Sequence, residues 1–329
     1  MDMAVTVRSF AKINLGLAIG PLRPDHFHTL DTIYQTVAAH DVIRVEVARG
    51  NGIEIRCKNP LVPTDETNTC HRVADRMLRL WKQRAKVTIH IEKNLPVQGG
   101  LGAGSSNAVA TMFALERELK EPLSAEDRLR ICAEVGSDLP LFLLGGAVLG
   151  LGRGEQVYPL AELPPTACVL VTPEVAVSTP KAFADWDAFL ESEAKAWNLT
   201  APDGSVTLSK FNRSAFEWLS NLNVSGVPGE VDGDRAETPL LDLVRAGIEN
   251  DFERVVFPQY PELRDVKRTL EREGADYASL SGSGSTLYGL FRTRERAVQA
   301  AEHMSAEGLA TTVTETLPRS EYRAQMFVK

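Results

Sequence analysis

Residues Leu95–Val109, reading LPVQGGLGAGSSNAV, form a glycine-rich turn that ends in two serines and runs directly into a helix. The chemistry that suits this arrangement is the holding of a phosphate. The first backbone N–H groups of a helix lack intrahelical partners and sit at the positive end of its macrodipole. Gly100, Gly102 and Gly104 leave room for an anion to approach that backbone, and Ser105 and Ser106 add hydroxyls at the point of contact. The helix is predicted from Asn107 onward, where Ala108, Met112, Leu115 and Leu119 fall on one face. No Lys follows the last glycine, which separates the loop from the P-loop pattern, and Asn107 stands where a dinucleotide fingerprint needs its third glycine. The H-R-D and D-F-G elements of protein kinases are absent. On these residues alone an ordinary glycine turn with a serine N-cap remains open.

Other reactive side chains narrow the chemistry. His26 and His28 have no cysteine or third histidine at ligand spacing, so no metal centre of protein ligands is expected. Cys57, Cys70, Cys132 and Cys168 are far apart and form no C-x-x-C pair, which predicts buried free thiols. A net charge of -8 argues against nucleic acid as a partner. The first residues, MDMAVTVRSFAKINL, lack a signal-peptide layout and no apolar run is long enough to span a membrane, so no membrane association and a cytoplasmic location are expected.

The elements that must position these residues are mixed. Strands are predicted over 3–19, 31–48 and 88–91, and helices over 68–81, from Val73, Met77 and Leu80, and over 125–135. The segment GSDLPLFLLGGAVLGLGRGE is densely apolar, and its glycines permit close backbone packing. Leu163–Pro165 marks a boundary, giving domains at 1–160 and 161–329, with CVLVTP as the opening strand of the second. From Asp185 to Thr238 the composition turns polar and reads as a long surface excursion, with order returning at Leu240. A helix through Leu263, Val266 and Leu270, a strand-turn-strand in YASLSGSGSTLYGLF, a helix over Ala297–Met304 and a strand near Thr311–Val313 complete the chain. Strands and helices mix without strict alternation, which favours α+β over α/β, and the second half suits a split βαβ layout.

Taken in order, FAKINLGLAIG, the Leu95–Val109 loop and LSGSGSTLYGLF resemble the three motifs of the GHMP kinase superfamily, named for galactose, homoserine, mevalonate and phosphomevalonate kinases. DHFHTLDTIYQ and GSDLP further resemble the branch whose acceptor is a cytidine-diphosphate polyol. The resemblance implies a two-domain fold, with a ribosomal-protein-S5-domain-2-like first part and a ferredoxin-like second part, in a monomer or weak homodimer. It also implies a small-molecule kinase of non-mevalonate isoprenoid synthesis that uses ATP and Mg²⁺ to phosphorylate the 2-hydroxyl of the erythritol moiety. The competing readings are a mevalonate- or homoserine-type kinase and a catalytically silent nucleotide-binding protein.

By this resemblance Asp138 is the catalytic aspartate and Lys12 its partner. A carboxylate can accept the hydroxyl proton, and an ammonium beside it keeps the carboxylate ionised. Without the resemblance Asp138 reads as a capping or turn aspartate and Lys12 as a strand-edge lysine. Phe27 and Phe183 are expected to sandwich the cytosine, with His28 on its polar edge and Thr179 alongside, although Phe183 also reads as a core residue. Asn14 shares a strand face with Lys12 and is expected at the erythritol hydroxyls. Pro96, Gly100, Leu101, Gly102, Ala103, Gly104, Ser105, Ser106 and Asn107 would cradle the triphosphate. Asn68 and Lys93 would lie toward adenine, unless they are a helix cap and a surface charge. Ser281, Gly282, Ser283 and Gly284 would form a second backbone wall, or simply a tight hairpin. His26 and Ala103 stand where the family commonly has glycine, and Ala103 is tolerable only at negative φ.

Overall fold

The computed structural model describes residues 4–197, 208–213 and 248–328. Its first sheet is built around two long strands, β1 (Val5–Leu22) and β2 (His28–Ala48), which pair antiparallel with bulges after Phe10 and Asn14. The second half of β2 also pairs with β4 (Lys86–Glu92), which is parallel to β3 (Gly52–Cys57). Its first half pairs with β5 (Ala147–Leu151), which carries β6 (Gln156–Pro159) at the edge.

Helices α1 (Thr69–Trp81), α2 (Ala103–Leu119), α3 (Ala125–Val135) and α4 (Leu139–Leu144) contribute to the same core. The sequence shows why. Val87, Ile89 and Ile91 alternate along β4, while Cys70, Val73, Ala74 and Met77 follow the helical period, and both sets are buried together. Each large apolar side chain removed from water in this way contributes about 1.5 to 3 kcal/mol.

The second sheet has the order β10-β7-β9-β8 and is antiparallel throughout, formed by β7 (Ala167–Thr172), β8 (Tyr277–Leu280), β9 (Leu287–Phe291) and β10 (Ala310–Glu315). This is the strand order of a split βαβ, ferredoxin-like unit. Helices α5 (Thr179–Trp197), α6 (Glu253–Gln259), α7 (Pro261–Arg272) and α8 (Arg294–Ala306) share its core. Leu17 and Ile19 of β1 are buried there too, so β1 runs from one core into the other. The final helix α9 (Arg319–Gln325) crosses back: Leu317, Tyr322 and Met326 belong to the first core, and the backbone N–H of Val328 donates to the Thr6 carbonyl. Residues on either side of 160/161 therefore do not partition cleanly.

The structure departs from the sequence expectations at four places. Helix α2 starts at Ala103, so Gly104, Ser105 and Ser106 lie in its first turn instead of in a loop before it. The segment 136–155 is not one apolar tract but α4, a turn and β5, because a continuous apolar run carries no periodicity to separate short helix from strand. The polar excursion does not begin at Asp185, since α5 continues to Trp197 and buries Trp186 completely. Residues 208–213 are helical as well, with Phe211 buried, while the remainder of the excursion and Leu240 lie outside the described residues. Strands β3 and β6 and helices α6 and α9 are additional. All four cysteines are free; Cys57 is only half-buried, and burial pushes the Cys70 and Cys132 thiols up to about 12. No helix among the described residues is long and apolar enough to cross a membrane.

Candidate active site

Two cavities meet at the glycine loop. The first, of about 410 Å³, lies between the start of α1, residue Lys93 and residues Pro96–Ser105. Gly102 is the N-cap of α2 at φ 67°, no side chain caps the helix, and Ala103, Gly104 and Ser105 of its first turn line the cavity. Gly100 has φ 77°, and a Cβ there would come within 2.0 Å of the Ser281 carbonyl oxygen. Only glycine fits. Gly104 differs, because a Cβ added to it would meet only the Thr69 hydroxyl at 3.7 Å. Its bare side faces open cavity. Ala103, the first helical residue, is outside the positive-φ set, which meets the condition for replacing glycine.

Beneath this loop lies a network that sequence reading missed. Asp41 is fully buried, and its carboxylate accepts from Lys93 Nζ and from the backbone N–H groups of Asn94 and Leu95, each at 2.8 Å, and from Asn107 Nδ2 at 3.0 Å. Lys93 is thus a buried ion-pair partner and not a surface charge. An acid within the strand stretch AAHDVIRV was the available signal. Asn68 caps α1, accepting from the Cys70 N–H at 2.9 Å, and also lines the cavity. Ser106 is buried and its Oγ accepts from Ser9 at 2.8 Å, leaving Ser105 as the more accessible hydroxyl. Leu101 packs into core, and its carbonyl accepts the Lys12 N–H at 3.0 Å.

The terminal serine loop is both a hairpin and a wall. Ser281 N–H donates to the Thr286 carbonyl at 2.9 Å, while Ser281 Oγ donates to the Gly100 carbonyl at 3.0 Å and Thr286 N–H to that of Gly99 at 3.2 Å. Ser283 Oγ lies 2.8 Å from Thr179 Oγ1 at the start of α5. The loop therefore fastens the second sheet onto the phosphate loop.

The second cavity, of about 630 Å³, is lined by Lys12, Asn14, Tyr34 and Asp138 on one side and by Phe27, His28, Phe183 and Phe252 on the other. Gly100 and Gly102 line both cavities. Lys12 Nζ lies 3.8 Å from Asp138 Oδ2 and donates to Asn14 Oδ1 at 2.6 Å. Asn14 Nδ2 donates in turn to Thr32 Oγ1 at 2.8 Å. Burial lowers the pKa of the Lys12 ammonium, with the Asp138 charge opposing that effect. Asp138 occupies the N-cap position of α4 without making a side-chain cap, so the capping reading does not describe it. Its Oδ1 instead accepts from the Tyr34 hydroxyl at 3.2 Å.

The aromatic side holds a ring pair that the sequence reading did not include. The ring lying on Phe183 is that of His28, with centroids 5.2 Å apart and planes 6° from parallel. His28 Nδ1 lies 3.0 Å from the Gly20 carbonyl and Nε2 3.2 Å from Asp187 Oδ1. Phe183 also meets Phe252 edge-on at 5.0 Å. Phe27 is half-exposed and has the Arg153 guanidinium 4.9 Å above its ring, a cation–π contact that holds it at the rim. His26 keeps the left-handed turn with φ 63° despite its side chain. Tyr34, Arg153, Asp187 and Phe252 were not singled out from sequence, because each reaches the site only through the pairing of distant segments.

Residues 68–146 match the family described as GHMP kinases N terminal domain, and residues 237–310 match GHMP kinases C terminal. The chain is 33% identical over 318 residues to a 4-diphosphocytidyl-2-C-methyl-D-erythritol kinase of Solibacter usitatus, covering 97% of this chain and 90% of the relative. It is 34% identical to the kinase of the same name from Chlorobaculum parvum, covering 92% and 94%. Among solved structures, a 4-(cytidine 5'-diphospho)-2C-methyl-D-erythritol kinase superposes with a TM-score of 0.70 at 27% identity, covering 94% of this chain and 98% of that one. The mevalonate kinase of L. major superposes with a TM-score of 0.66 at 17% identity, covering 94% and 95%, a likeness of fold.

Proposed function

This chain belongs to the GHMP kinase family, and from that premise we propose that it transfers the γ-phosphoryl group of ATP to the 2-hydroxyl of 4-diphosphocytidyl-2-C-methyl-D-erythritol, a step of non-mevalonate isoprenoid synthesis. The observation that carries this reading is the junction at Gly100 and Gly102, with a helix N-terminus on one side and the Lys12–Asp138 pair on the other. A donor triphosphate resting on the first turn of α2 has its terminal phosphate at that junction. Asp138 accepts the proton of the attacking hydroxyl, a bond forms from that oxygen to the γ-phosphorus, and the bond to the ADP oxygen breaks. Lys12, fixed by Asn14, supplies positive charge beside the reacting oxygens without leaving the sheet.

Mg²⁺, carried in with the nucleotide, would neutralise phosphate charge, and such an ion keeps most of its ligands as water and phosphate oxygens. Among the described residues no cluster of three His, Cys, Asp or Glu side chains forms a cage for it. Ser105 is the group here that fits this sparse ligation.

The aromatic side supports a cytidylyl acceptor, since His28, Phe183, Phe27 and Phe252 offer ring faces that mevalonate or homoserine does not need. Purified protein with MgATP and a panel of acceptors tests the reading through ADP release. Turnover is expected with the cytidylyl substrate; turnover of mevalonate or homoserine in its place would overturn it.

A further inference from the structure

Tyr34 has no role in the reading above, yet the chain is shaped around it. It sits in the interior of the first sheet, opposite Asn14 of β1 and Val148 of β5, and is 2% exposed. Two glycines of the apolar 136–155 segment make room for its ring. A Cβ on Gly150 would come within 2.5 Å of Tyr34 Cε2, and one on Gly154 within 2.4 Å of the Tyr34 hydroxyl oxygen. That hydroxyl, the single polar atom of the side chain, donates to Asp138 Oδ1 at 3.2 Å, while Lys12 Nζ lies 5.7 Å from the ring centroid.

We propose that Tyr34 is a positioning residue for phosphoryl transfer: its hydroxyl fixes the plane of the Asp138 carboxylate, holding Oδ2 toward Lys12 and presenting a lone pair to the acceptor hydroxyl. This rests on the reading of Asp138 as the general base. A carboxylate on a short helix start rotates freely unless both oxygens are engaged, and here Lys12 and Tyr34 engage one each. The charged groups facing the carboxylate are Lys12 from β1 and, beyond Tyr34, the Arg153–Glu155 pair that follows β5, 3.6 Å apart. Burial raises the phenol pKa well above its ordinary value, and the negative charges of Asp138 and Glu155 reinforce this, so the group stays a donor across the working range.

Tyr34→Phe keeps the ring and removes the donor. The expected result is a kcat lower by about 10-fold to 100-fold, the range open to a hydrogen bond to a charged group, with KM for ATP unchanged. The loss should appear in the single-turnover rate of phosphoryl transfer and not in nucleotide binding, whereas a merely structural role would lower both together. Site-specific 3-fluorotyrosine at position 34, a stronger donor of nearly the same size, should change kcat with KM for ATP unchanged, and it decides the matter if Tyr34→Phe fails to fold. Asp138→Asn, run beside them, separates the two ideas. Near-normal turnover in Asp138→Asn sinks the base reading and this inference together, whereas an inactive Asp138→Asn with a wild-type kcat in the Tyr34 variants sinks this inference alone.

Discussion

The two cavities are built from different materials. The nucleotide side is made of backbone: an uncapped helix start, glycines at φ 67° and 77°, and the carbonyl of Ser281 pressed against Gly100. The acceptor side is made of side chains projecting from paired strands, with Lys12, Asn14 and Tyr34 held by the β1–β2 register. A backbone site fails when a Cβ is added. A side-chain site fails when a charge or donor is removed, and its fold survives. The reason is that Gly100 is simultaneously a ligand-facing residue and a contact between the two sheets, whereas Lys12 makes no packing contribution that an apolar chain of like length could not replace.

Gly100→Ala should have the largest effect. Left-handed strain of about 1 to 2 kcal/mol adds to an overpacking cost of about 1 to 3 kcal/mol, since the obstructing atom is backbone. Thermal unfolding and turnover should both suffer, and a variant with wild-type Tm would break the claim that this glycine joins the sheets. Lys12→Met should instead lower kcat by about 10² to 10³-fold while leaving Tm equal or higher, because a buried ammonium costs desolvation. Loss of stability in step with activity would erase the contrast between the two sides.

Asp251 ties the acceptor side to the second core. Its carboxylate accepts from the Ile19 N–H at 2.9 Å, and it precedes Phe252 of the cavity wall. Burial pushes its pKa up to about 6 from 3.8. Between those values the folded state holds a proton that the unfolded state has lost, so this group's contribution to stability falls as pH rises from about 4 to 6 and the penalty is complete above 6. Asp251→Asn, which can still accept from Ile19, should therefore be more stable than wild type at pH 7 by on the order of 1 to 3 kcal/mol and equal to it near pH 4. Urea unfolding across that range measures it; a constant difference at every pH would rule out the titration.

Gly104→Ala should have the smallest effect and sharpen the comparison most. The new methyl projects into open cavity, so stability should hold or rise by up to about 1 kcal/mol through helix propensity, while KM for ATP rises a few-fold. An unchanged KM would mean that the nucleotide does not rest on the first turn of α2.

Much of the fold was legible, for particular reasons. The helical spacing through Val73 and Met77 and the alternation of β4 are local signals backed by burial on one face. The region 136–155 was not, because uniformly apolar residues lack a period, and α5 was hidden by its polar outer face while Trp186 anchored the inner one. In the site, glycines, serines and the AKIN lysine announced themselves by type and motif. Asp41, Tyr34 and Asp187 did not, since an aspartate or tyrosine in a strand gives no sign of what the neighbouring strand will place against it.

By itself the sequence determined the chemistry on offer: a glycine-serine turn before a helix, a lysine and an aspartate in recurrent motifs, and aromatic residues for a base. Tertiary structure alone decided that Lys12 and Asp138, far apart in the chain, come within 3.8 Å, that the His28 ring lies on Phe183, and that Asp41 grips the phosphate loop from below. Residue type and spacing fix local backbone and donor capacity. Distance between remote side chains follows only from strand register and the packing of one core against another.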